Sequence, residues 1–115
     1  MAYSAEAAVV AALAGLGVRV YPDVGPSGVA RPYVTYQAVG GQDITALDGP
    51  ADLENARMQV NVWANDRLTA VATMRSVMTR MVAAGHFPIG APVSDHEGDT
   101  NLYGSRLDFS VWYRP

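Results

Sequence analysis

The chain has no cysteine and no lysine. Without thiols there can be no disulfide scaffold, thiolate nucleophile or cysteine zinc site. Two histidines, His86 and His96, leave little material for imidazole chemistry. With a net charge of −3 the chain is a poor candidate for wrapping phosphate backbones, which needs a basic face. All eight basic residues are arginine. Bidentate interface pairing would explain this, but so would GC-rich coding, and Arg and Lys exchange on most exposed surfaces outside bidentate sites. No run reaches the roughly 18 apolar residues of a membrane span. The apolar stretch 7–16 is a poor signal peptide, because Glu6 stands where a positive segment belongs and the first basic residue is Arg19. The expectation is a protein made in the cytoplasm and kept there until it is assembled into something.

With 115 residues, half of them apolar, the chain is expected to form one globular domain, 1–115, with a modest core. It is too short for a multidomain enzyme.

Ser4 can cap a helix beginning at Ala5, with Glu6 placed well against the helix dipole. Val9, Val10, Leu13 and Leu16 recur at helical spacing, and Gly15 and Gly17 end the helix. Val18 to Tyr21 reads as a short strand. A Gly/Pro loop follows over 22–32. The next strand, Tyr33 to Val39, sets Val34, Tyr36 and Ala38 on one face. Residues 41–52 have no periodicity and contain Asp48-Gly49-Pro50. As a link between antiparallel neighbours this loop is long, and such loops tend to be binding arms.

A strand over about 53–64 turns Met58, Val60, Val62 and Ala64 one way and Arg57, Gln59, Asn61 and Trp63 the other. Asn65 or Asp66 caps a helix over 66–84. Its predicted inner face is Val71, Met74, Met78, Met81 and Val82, with Gly85 closing it. A weak strand near 86–93 carries Pro88 and Pro92, which mark it as an edge. Residues 94–101 read as a polar loop. The last strand, about 103–113, alternates Leu107, Phe109, Val111 and Tyr113 against Arg106, Asp108, Ser110, Trp112 and Arg114. The order is helix, three strands, helix, two strands. This is an α+β layout, with a mostly antiparallel sheet of four to five strands packed on two helices.

Chemistry-bearing clusters are few. Asp95, His96, Glu97 and Asp99, with Asp108 further on, could hold a hard cation in a loop, which defines one reading: a small metal- or ligand-binding domain. The spacing fits neither the twelve-residue calcium loop nor HExxH, and a solvated acidic turn explains it as well. Gly25-Pro26-Ser27-Gly28 lacks the Gly-Lys-Ser/Thr ending of a phosphate loop and no helix follows it. No Gly-x-Ser-x-Gly elbow surrounds a hydroxyl. Nothing separates the pKa values of Asp48, Asp52 and Glu54 into an acid and a base. The methionines of the second helix have the spacing of a core stripe.

One feature stands apart. Trp63 and Trp112 fall on the polar faces of their strands, beside Arg57 and Asp108. Two coverings are open: the first helix packed as a second layer, or a subunit interface, where Trp and Arg concentrate binding energy.

These segments, in this order, resemble the tail-completion, or tail-terminator, proteins of long-tailed bacteriophages and prophages. The resemblance rests on the N-terminal apolar helix, Val20-Tyr21-Pro22, Pro32-Tyr33-Val34-Thr35-Tyr36-Gln37 and Leu47-Asp48-Gly49-Pro50. It continues through residues 56–64, then Leu102-Tyr103 and residues 106–113. It implies a non-enzymatic virion protein, without cofactor, that forms a ring, typically a hexamer, at the head-proximal end of the tail. The ring would end growth of the tail tube and join tail to head. Its implied partners are copies of itself, the major tail-tube protein and head-completion or connector proteins. DNA would pass through without sequence-specific binding, which suits a net acidic chain. A neighbouring neck or head-closure component is the alternative within the same class. On this reading Arg57, Trp63, Asp108 and Trp112 form a sheet-face interface. Residues 41–52, with Asp43, Leu47 and Asp48, form an arm that contacts a neighbour or the tube.

Overall fold

A computed structural model describes residues 3–41 and 53–115. The expected arm therefore lies outside the described residues, apart from Gly41, and so do Asp43, Leu47 and Asp48. Helix α1 (Ala5–Leu13) starts on Ser4, whose Oγ accepts from the Ala7 amide at 3.0 Å. Three strands follow: β1 (Arg19–Pro22), β2 (Tyr33–Ala38) and β3 (Glu54–Ala64). Helix α2 (Arg67–Ala83) is capped by Asp66, whose carboxylate takes the Thr69 amide at 2.7 Å. Gly85 closes α2 at φ +89°, as its N–H meets the Val82 carbonyl and the His86 N–H meets that of Met81. Strands β4 (Phe87–Glu97) and β5 (Leu102–Tyr113) complete the chain.

The five strands form one sheet in the order β1-β2-β3-β5-β4, antiparallel except for the β1–β2 pair. The α+β class and the element order agree with the sequence reading. Both helices lie on the same face of the sheet. α1 covers β2, β3 and β5, α2 covers β3, β5 and β4, and the helices touch each other. The core between these layers is Val9 and Leu13 of α1, Met74, Val77 and Met81 of α2, and Val34, Met58, Val60, Val62, Phe109 and Val111 of the sheet.

Three expectations are corrected here. In α2 the buried residues are Ala70, Met74, Val77 and Met81, whereas Val71 and Val82 are exposed. In α1 Val10 is exposed beside buried Val9. In each case the helix presents a narrower stripe to the sheet than its apolar residues would fill. The third concerns β4, which runs on through Asp95 and His96 to Glu97, so the acidic cluster lies mostly on a strand rather than in a loop.

His86, 7% exposed, sits just after the α2 cap, and its Nδ1 meets no hydrogen-bond partner among the described residues. Burial lowers its pKa below the usual 6.5. The unfolded chain then binds a proton that the folded chain refuses, so stability is lost as pH falls from 6.5 toward the folded value. The expected result is a melting temperature that drops between pH 7.5 and pH 5.5. The His86→Gln variant should flatten that slope, which thermal melts across this range would read.

Candidate assembly surface

With both helices on one side, the opposite face of the sheet carries no helix among the described residues. The first helix does not supply the second layer that was one of the two coverings open from sequence. Cross-strand pairing places Arg57, Trp63, Asp108 and Trp112 all on this open face, with Tyr33, Thr35, Gln59 and Arg106.

The four are not one patch. Trp63 pairs with Gly104 and Trp112 with Asn55, eight positions apart along the strands. That is about 27 Å at strand rise.

At the Trp63 end the chain itself covers part of the face. The Trp63 indole Nε1–H donates to Thr35 Oγ1 at 3.2 Å, and Thr35 is buried. The ring lies over Gly104, where an added Cβ would stand 3.0 Å from a ring carbon. The loop of residues 23–29 closes over this end and leaves a cleft of about 390 Å³, lined also by Arg31, Tyr33 and Glu97. Burial raises the Tyr33 phenol above 10.0, with Arg31 opposing. Replacing Gly104 with Val should force the indole aside and cost about 1–3 kcal/mol, read by chemical denaturation.

At the other end the face is open. Trp112 is 37% exposed. Arg57 Nε donates to Asp108 Oδ2 at 2.6 Å, and the Arg57 side chain is 46% exposed. This is the one ion pair seen among the described residues. Exposed pairs contribute about 0–1 kcal/mol to folding, so its stabilising value within one copy is small.

Sequence reasoning missed three residues of this region. Pairing with Ser110, Asp108 and Arg106 puts Phe87, Ile89 and Val93 on the same open face, at 58%, 38% and 49% exposure. Together with Trp112 they make an apolar stretch around the Arg57–Asp108 pair. Such stretches, rimmed by polar groups, mark interaction sites. The signal was present in residues 87–93 but was broken by Gly90, Pro92 and a register shift between Ile89 and Val93.

The acidic segment is arranged differently from a cation site. The Asp95 carboxylate accepts the His96 amide, Glu97 accepts from Thr100, and the His96 ring meets Asn101. The Asp95 carbonyl takes Arg67 at 3.2 Å. No group of three His, Asp or Glu is placed to hold a metal ion among the described residues. Among them, too, no helix is long and apolar enough to cross a membrane.

Residues 2–114 match the family described as Tail completion protein gp17. No curated protein matches the chain. Among solved structures, a chain from "Virion of native gene transfer agent (GTA) particle" is similar. It shares 15% identity at a TM-score of 0.48, over 93% of this chain and 84% of that one.

Proposed function

Because the chain belongs to the tail completion protein gp17 family, it is a structural protein of the phage tail and not an enzyme, and we propose that it forms a ring, hexameric, at the head-proximal end of the tail. The ring ends growth of the tail tube and offers a surface to the head-completion or connector proteins, while DNA passes through its centre. It assembles in the host cytoplasm and stays in the virion.

The observation that carries this reading is the uncovered sheet face. A small chain that leaves Phe87, Ile89, Val93 and Trp112 exposed around an Arg–Asp pair has built half of an interface. Its counterpart is another copy or the tube protein. Covering the Arg57–Asp108 pair would remove water from it and strengthen its Coulomb attraction, against which stands the desolvation of both charges. Residues 41–52, with Asp43, Leu47 and Asp48, supply a second contact to a neighbour or the tube.

The test is tube growth. Added to polymerising tail-tube protein of the same phage, the chain should narrow the distribution of tube lengths and cap one end, as seen by electron microscopy. Unchanged lengths with no density at either end would contradict the reading.

A further inference from the structure

We infer that copies of this chain join side by side through the opposite edges of the sheet, the β1 edge of one copy lying along the β4 edge of the next. This rests on the ring reading above and names the surfaces that close the ring. Edges β1 and β4 each pair on one side only among the described residues, so each presents unpaired backbone groups. A ring requires two different surfaces that complement each other, repeated head to tail.

The register supplies the complement. Arg19, Tyr33, Trp63, Gly104 and Asp95 form one row straight across the sheet, and Tyr21, Thr35, Asn61, Arg106 and Val93 form another. From the pairing senses, β1 and β4 run in opposite directions. A second copy set alongside at the same height therefore adds β1 antiparallel to β4. Its Arg19 comes opposite Asp95, and its Tyr21 opposite Val93. Opposite charges and aromatic–β-branched pairs are both favourable across strands. Within its own copy Arg19 has no carboxylate partner among the described residues. The stretch 93–97 that receives it lies beyond Pro88 and Pro92.

The helix layer has the same polarity. α1 sits over β2, β3 and β5 and α2 over β3, β5 and β4, so α1 is the nearer of the two to β1 and α2 the nearer to β4. Glu6 is the one charged residue of α1, and α2 carries three arginines and no carboxylate. Burial raises the Tyr36 phenol, and the negative charge of Glu6 raises it further. Exposed Val10 follows Glu6 one turn later on the same flank. On the far side, Val71, Met74, Arg75 and Met78 of α2 and Pro92 and Ser94 of β4 line a groove of about 280 Å³. Arg67 is spent on the Gly104 and Asp95 carbonyls, and Arg80 lies against Gly15. Arg75 meets no carboxylate among the described residues. The α1 flank of the neighbour fits here, with Glu6 toward Arg75 and Val10 toward Val71. Like edges offer no such match, since β1 has no carboxylate to meet Arg19 and α2 has none to meet Arg75.

The experiment uses the full chain, alone and with the tail-tube protein of the same phage, followed by native mass spectrometry and sedimentation. Arg19→Glu and Asp95→Arg should each weaken association about tenfold or more, and the two together should recover to within about threefold of the natural chain. Glu6→Arg and Arg75→Glu should behave alike. Since the chain has no cysteine of its own, Val10→Cys and Val71→Cys in one chain should give covalent ladders beyond the dimer on oxidation. Each single variant should give dimers only when mixed with the other. The inference is overturned if the reversals assemble like the natural chain, if the doubles show no recovery, or if Val71→Cys alone forms dimers. In those cases the natural chain still assembles and the ring reading stands. If the natural chain forms no assembly in either setting, the ring reading falls and this inference falls with it.

Discussion

Trp112→Asp should reduce incorporation into assembled particles at least about thirtyfold while leaving the isolated chain folded. Truncated aromatic anchors at the centre of an interface cost about 2 kcal/mol or more of binding, and a carboxylate buried in their place costs further. Within one copy Trp112 is 37% exposed and lies on the face opposite both described helices. Surface changes of this kind usually alter folding by about half a kcal/mol, and the lost packing against neighbours on the strand keeps the total near 1 kcal/mol. Sedimentation of the variant with tube protein, beside a thermal melt of the variant alone, separates the two effects. A loss of stability equal to the loss of assembly would count against an interface role.

Trp63→Ala should do the reverse. The indole spans Gly104 and donates to Thr35, which is only 2% exposed. Truncation opens a void and leaves a buried hydroxyl without its donor. Half of a full Trp truncation plus the lost hydrogen bond comes to about 2–4 kcal/mol. For a domain of this size that lowers the melting temperature by roughly 8–15 °C. Association per folded molecule should stay close to that of the natural chain. Two tryptophans that look alike in sequence, each on the polar side of a strand, are thus expected to serve opposite ends of the account.

That divergence shows what could be read before the fold was known. The alternation in residues 54–64 and 102–113 was legible because one face of each strand is polar and the other packs on the helices. Ser4, Asp66 and Gly85 marked helix ends through local chemistry. What failed was whatever depends on distant neighbours. Whether Val71 or Val77 turns inward in α2 is set by where the sheet lies, and both are valines. That the loop of residues 23–29 closes over Trp63 follows from tertiary packing and leaves no periodic trace. The full length of β4 is not legible in sequence because two prolines, a glycine and a register shift hide its alternation. Hidden with it are the exposed Phe87, Ile89 and Val93. In sequence the acidic residues of 95–99 resemble a set of hard-cation ligands. On a strand with local partners, Asp95 instead gains interest as the row-mate of Arg19.

Folding and assembly then divide the two sides of the sheet. The helix side is spent on the core, where Phe109, Met58 and Met81 are fully enclosed. The open side keeps its aromatic and aliphatic groups in water until something covers them, at a cost of roughly 25 cal/mol for each Å² left exposed. A tail component can carry that cost because burying the same area later drives its assembly.

The most direct measurement is hydroxyl-radical footprinting of the free chain and of the chain within assembled tails. Phe87, Ile89, Val93 and Trp112 should lose reactivity on assembly, with Trp112 falling furthest, while Trp63 stays near its free value. Equal labelling of Trp112 in both states would show that the open face stays in solvent, and the account would be wrong at its centre.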